Sequence, residues 1–246
     1  SLIELDFFNF EMRSIEIISN DTNNIFNLNN LELIKFDELS LIGLEKNISS
    51  ESNEISNEGF NSFIKLNKLC IKNFRIIQNR IQTTYFFSNL VNLKDLELCN
   101  IKNLESINSD TFNGLICLEK LILTNTGIIK LFENLFHNLL NLKWLKISEE
   151  NLIDIESGTF NGLQNLKHLT LYDNKIKEIR NDTFKGIENL TEIVLFEFDD
   201  ICQIGLKCFQ YFKSLDNLSF CFKYSRLDEN LNKLVNIENL KCLNVY

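Results

Sequence analysis

Residues 142–193 read LKWLKISEENLIDIESGTFNGLQNLKHLTLYDNKIKEIRNDTFKGIENLTEI, and one pattern is written twice within them. Leu142, Leu145, Ile147, Ile155, Phe160 and Leu163 recur 24 residues later as Leu166, Leu169, Leu171, Ile179, Phe184 and Ile187. Self-similarity at a fixed period of this length is the signature of a solenoid, in which each unit buries its apolar side only against its neighbours.

Working outward, the pattern LxxLxL places alternate apolar residues on one face of a short strand. It aligns the chain into units starting near Met12, Leu39, Leu66, Leu93, Leu118, Leu142, Leu166, Leu190, Leu215 and Leu240, with steps of 24 to 27 residues. Six residues before the units runs a second file: Leu33, Phe60, Phe87, Phe112, Phe136, Phe160, Phe184, Phe209 and Leu234. One aromatic stacked per turn, each ring burying ~150–250 Å², accounts for 21 Phe against one Trp and five Tyr. Asn/Ser/Gly-rich joints are read as loops, and the polar stretch 47–59 as a longer loop inside one unit. The expected fold is an α/β solenoid: a parallel sheet of about ten strands, with loops and short helical turns on the other side. Residues 1–246 form one domain, residues 1–11 being a flank or partial unit. The last unit stops in its strand, and an uncapped strand edge exposes unpaired backbone, so the chain is expected to continue past Tyr246 or to be covered there.

The 246 residues carry a net charge of −9. That balance repels a phosphate backbone, and without a local basic cluster it argues against a nucleic-acid partner. No run reaches the ~18 apolar residues of a membrane helix. The seven Cys (70, 99, 117, 202, 208, 221 and 242) form no CxxC pair or dense cluster, which argues against a zinc site or a disulfide framework. No metal or cofactor is expected. Cys70 and Cys99 are two positions out of register and too far apart to bridge. Cys202 and Cys208 share one irregular unit: a bridge would staple its loop, or both are buried thiols. Asn181 is the best of five glycosylation sequons if the protein is secreted.

The pattern LxxLxLxxNxIxxIxxxxFxGLxxL resembles the typical, Phe-spine subtype of the leucine-rich repeat, and residues 166–190 carry it almost in full, with Asn174 in the Asn slot. The resemblance implies a horseshoe with a concave sheet, like Toll-like receptor ectodomains and related extracellular proteins. The Asn slot matches at Asn20, Asn47 and Asn174 but holds Phe74, Ile101, Thr126, Glu150, Phe198 and Lys223 elsewhere, so the ladder of Asn side chains is expected to be broken.

Side chains between the buried strand positions point to the other face. There the sequence places Trp144, Lys146, His168, Tyr172, Phe196 and Phe222, with the carboxylates Asp95, Glu97, Glu149, Asp173 and Glu197. Strands lie ~4.8 Å apart, so the aromatics are expected to form one patch that anchors a protein ligand, with the acids steering a basic partner. The plain alternative is that they only cover the sheet. No nucleophile, base and orienting group fall together, so no catalysis is expected. The function implied is a non-enzymatic, extracellular, receptor-type recognition module of innate-immune or adhesion-like kind. The alternatives are an intracellular scaffold or inhibitor and a soluble receptor-like decoy. Oligomeric state is not encoded in any of these features.

Overall fold

The computed structural model describes residues 14–19, 37–43, 54–55, 60, 63–76, 86–102, 104, 107–198, 203–205, 207–222 and 242–245. Fifteen strands follow one another: β1 (Ser14–Ser19), β2 (Glu38–Gly43), β3 (Glu54–Ile55), β4 (Lys68–Ile76), β5 (Asp95–Lys102), β6 (Lys120–Thr124), β7 (Lys130–Leu131), β8 (Trp144–Ser148), β9 (Asp154–Ile155), β10 (His168–Tyr172), β11 (Glu178–Ile179), β12 (Glu192–Phe198), β13 (Gln203–Ile204), β14 (Asn217–Phe222) and β15 (Cys242–Val245). Ten of them form one parallel sheet in the order β1-β2-β4-β5-β6-β8-β10-β12-β14-β15, and β3 pairs with the end of β4. Two-residue pairs, β7 with β9 and β11 with β13, tie the turns together away from that sheet.

The register is one residue to one residue. Leu96 lies beside Leu121, Leu145, Leu169, Ile193 and Leu218 in turn, and Leu98 beside Leu123, Ile147, Leu171, Leu195 and Phe220. A slip of one residue would turn every leucine to solvent, which is why a strict sequence phase becomes a strict stack. Among the described residues one irregularity interrupts it, a bulge between Phe196 and Phe198 opposite Cys221 and Phe222.

Register also corrects one boundary. Leu39 pairs with Leu69 and Leu41 with Ile71, and both Leu39 and Leu41 are fully buried. The second unit therefore begins three residues earlier than the start at Leu39 read from the sequence, where Ile42 and Leu44 held these places. Ile42 instead pairs with Lys72 on the open face. The shift also takes Asn47 out of the Asn slot.

Behind the sheet, Phe87, Phe112, Phe136, Phe160, Phe184 and Phe209 stack with centroids 5.7 to 6.4 Å apart and interplanar angles of 8 to 23°. Phe60 meets Phe86 rather than Phe87, at 5.3 Å. Leu33 and Leu234 lie outside the described residues.

Among the described residues this side carries short turns, and no continuous helix. Its backbone bonds run in steps of three: Leu163 N–H donates to Phe160 and Leu166 N–H to Leu163, and the same pair of bonds recurs around Phe87, Phe112, Phe136 and Phe184. A helix cannot continue through Gly114, Gly162 or Gly186, whose φ values are +90°, +90° and +101°. Nor is there room for a side chain. A Cβ on Gly114 would lie 2.1 Å from the Ser88 carbonyl oxygen, and one on Gly162 would lie 2.3 Å from that of His137.

Gly162→Ala and Gly114→Ala are each expected to lower stability by about 2 kcal/mol or more, combining a disfavoured φ with a backbone clash. Gly186→Ala, whose Cβ would stand 2.9 Å from the Phe160 carbonyl, should cost less. Urea unfolding midpoints of the three variants check the order.

Candidate functional site

The open face of the sheet is organised in rows, because in-register parallel strands place like positions side by side at ~4.8 Å. At the strand starts the row reads Glu38, Lys68, Asp95, Lys120, Trp144, His168, Glu192 and Asn217. Its middle is a continuous strip of contacts. The Lys120 ammonium stands 6.0 Å from the centre of the Trp144 ring. Trp144 stacks on His168 at 4.7 Å and 30°, and His168 Nδ1 lies 2.9 Å from Glu192 Oε2. Cation–π contact from one neighbouring strand and ring stacking from the other, the latter braced by a hydrogen bond, thus hold the indole. Trp144 nevertheless keeps 40% of its surface exposed.

The remaining sequence-designated residues distribute differently from the single patch expected. Tyr172 lies four residues along β10 from His168, about 13 Å away by strand rise. It stands in the strand-end row with Ser148 and Phe196. The row between holds Lys146, Thr170 and Val194. Trp144 and Tyr172 therefore belong to opposite ends of the strands. The side chains of Phe196, Glu197 and Phe222 lie outside the described residues, as does Cys202 and with it the proposed bridge; Cys208 is fully buried.

The carboxylates are not a uniform acidic rim. Glu97 is held by Lys72 at 3.0 Å; burial pushes its carboxyl up, but the Lys72 and Cys99 hydrogen bonds outweigh that and its pKa is lowered. Asp95 stands in register between Lys68 and Lys120. Glu149 and Asp173 are exposed, both at strand exits. Cys70 and Cys99 are thiols that do not pair with each other. Burial first, and then Glu97, push their pKa values up to about 11 and about 12. Both are protonated at neutral pH and poor nucleophiles.

Two polar features were missed in the sequence, and a third was read as broken where it is filled. The residues leaving the strands, Asn73, Asn100, Asn125, Glu149 and Asp173, all have φ between 49 and 63°, a region that Asn and Asp tolerate best. The first three form a side-chain ladder, Asn100 donating to Asn73 at 2.8 Å and Asn125 to Asn100 at 3.2 Å. On the leading edge, Asn92, Asn141, Asn165 and Asn189 each donate to a carbonyl of the preceding turn, Ile64, Ile116, Leu140 and Gln164, at 2.7 to 3.0 Å. Recurrence of Asn just before the first leucine was a legible signal for this second ladder.

The third is the Asn slot itself. Asn174 Nδ2 donates to the Ile147 and Tyr172 carbonyls. One turn earlier, Glu150 does the work from the opposite direction. Its carboxylate accepts from Thr126 N–H at 2.6 Å, Thr126 O–H at 2.8 Å, Gly127 N–H at 2.7 Å and Ile128 N–H at 3.1 Å. Three successive backbone N–H groups around Gly127, whose φ is +81°, make an anion nest. The slot is thus filled rather than broken at this turn.

Burial pushes the Glu150 pKa above its ordinary 4.5, with the four donors pulling against it. A raised folded-state value means that this group adds stability as pH falls toward 4.5 and removes it as pH rises through the folded value. Glu150→Gln should cost about 1–3 kcal/mol, since its NH₂ would face N–H donors. The stability gap between the native chain and the variant should widen as pH is lowered from 7 toward 4.5; a gap that narrows would show the donors outweighing burial. Chemical denaturation across that range measures both.

The sequence matches the family described as BspA type leucine rich repeat region, in six copies, over residues 79–216 and 129–244. Comparison with curated proteins gives no match. Among solved structures, the fold is similar to internalin C2 from Listeria monocytogenes, with TM-score 0.55 and 20% identity over 78% of this chain and 76% of that one. It is similar to a chain of the TLR13–ssRNA13 complex, with TM-score 0.56 and 19% identity over 94% and 32%. It is also similar to a chain of the Drosophila Toll–Spätzle complex, with TM-score 0.61 and 15% identity over 88% and 31%. The chain thus spans about a third of the length of those last two. At such identities the likeness is one of fold.

Proposed function

Because this chain belongs to the BspA-type leucine-rich repeat family, we propose that it works as a non-enzymatic recognition module that seats a protein partner on the open, concave face of its sheet. The observation that carries the reading is the strip Lys120–Trp144–His168–Glu192, in which a large aromatic is both exposed and pre-organised. Trp, fixed in place and flanked by polar groups, is the residue type that dominates interface energies. Two of the similar folds are known in complexes with a ligand, Spätzle and ssRNA13. For this chain a net charge of −9 and the alternation of Lys with Asp and Glu along the strand starts favour a protein over a phosphate backbone. Charge alternation of this kind selects register more than it steers one sign of partner.

Recognition of this kind needs no catalytic step. The high thiol pKa values leave Cys70 and Cys99 without nucleophilic character, and His168 is engaged by Trp144 and Glu192. Among the described residues no helix is long and apolar enough to cross a membrane. We assign the module to the cell exterior, where Asn181, exposed on the turn after β11, would carry sugar; its Oδ1 accepts from Lys207 N–H at 3.0 Å. Mass spectrometry of the natively expressed protein is expected to find the glycan, and an unmodified Asn181 would count against that compartment.

Trp144 is the single tryptophan of the chain, so it reports on this face directly. Partner binding should shift its emission to shorter wavelength and shield it from acrylamide; unchanged emission at saturation overturns the site. Trp144→Ala should weaken that partner by about 2 kcal/mol, roughly thirtyfold in Kd, with an unchanged unfolding midpoint.

A further inference from the structure

The edge where the chain leaves the sheet carries a groove of about 580 Å³ that the sheet-face reading does not use. Four consecutive turns contribute Lys102, Gly127, Asn151 and Lys175 at one equivalent position, and two of them contribute Ile129 and Ile153 two residues later. Gly127 brings no side chain, which leaves the middle open down to the backbone. Ile129 and Ile153 line that middle with 48% and 37% of their surface exposed.

The charged groups of this groove are lysines. Among the described residues that line it there is no carboxylate, and an exposed lysine stands at each end. The nearby acid, Glu150, points inward onto the nest of Thr126, Gly127 and Ile128. Lys102 and Lys175 are three turns apart, ~14 Å at the strand spacing. An extended segment rises ~3.3 Å per residue and shows residues i, i+2 and i+4 on one face. The distance between the lysines is therefore the distance between residues i and i+4.

We propose that this groove is a second recognition site, which takes an extended acidic segment of a protein with carboxylates at i and i+4 and an aliphatic side chain at i+2. The two carboxylates meet Lys102 and Lys175, and the aliphatic side chain covers Ile129 and Ile153 above Gly127. The site is separate from the sheet-face strip, so either can stand without the other.

The test is a titration of the isotope-labelled full chain with the blocked peptide Glu-Thr-Leu-Thr-Glu, followed by amide resonances and by Trp144 emission. Saturable shifts at Gly127, Asn151 and Ile153 are expected, with emission unchanged and affinity falling as salt rises. The peptide Gln-Thr-Leu-Thr-Gln should bind at least tenfold more weakly, as should Glu-Thr-Leu-Thr-Glu to the variant Lys102→Glu/Lys175→Glu. Circular dichroism confirms that this variant is folded, and the peptide comparison needs no variant at all. Equal binding of both peptides overturns the proposal. So do shifts centred on Lys120, Trp144 and His168, or a response only to anionic lipid vesicles or a single-stranded oligonucleotide.

Discussion

A turn of this chain has no core of its own. Its strand offers two buried side chains, such as Leu145 and Ile147, and one Phe behind them. All three are covered only when the turns above and below present the same groups at the same height. Hydrophobic burial and backbone pairing therefore demand the same thing, in-register parallel stacking, and each enforces the other. The close approach of Gly114 and Gly162 to the backbone of the preceding turn follows from that demand, as do the rings stacked at about 6 Å. The free side of the strands inherits its order from it: no selection for a binding site is needed to line up Lys120, Trp144, His168 and Glu192.

That dependence explains what could be read without coordinates. Positions whose spacing is forced by stacking were legible: the leucine phase from Leu66 onward, the Phe file and the parallel order of the sheet. The phase failed at the second unit, where LSLIGL offers two overlapping sets of alternate apolar residues. Only pairing with Leu69 and Ile71 selects Leu39 and Leu41. Loops and short helical turns were expected on the far side, and turns closed by three-residue bonds are what stands there. The glycines of the Phe-x-Gly-Leu joints were read as punctuation, whereas their positive φ and missing Cβ are what exclude a helix.

Polar groups were read less well, for a physical reason. A leucine has one way to be satisfied, but a buried slot needing hydrogen bonds can be served by donors or by acceptors. Asn174 donates to carbonyls; Glu150 accepts from N–H groups; the sequence pattern counts one as a match and the other as a failure. The same limit applied to the open face. Sequence spacing identified which residues face outward, but equated sharing a face with sharing a patch. Trp144 and Tyr172 share the face and sit at opposite ends of it.

The file of contacts running through Trp144 has a bearing on motion. A stack held only by nearest neighbours loosens from its edges inward, one turn at a time, and its middle opens last. Trp144 and His168 stand on the sixth and seventh strands of the ten-strand sheet. The indole is thus insulated from peeling at either margin by at least three intact layers. A ligand seated there meets a stretch already braced on both sides and does not have to stiffen it first.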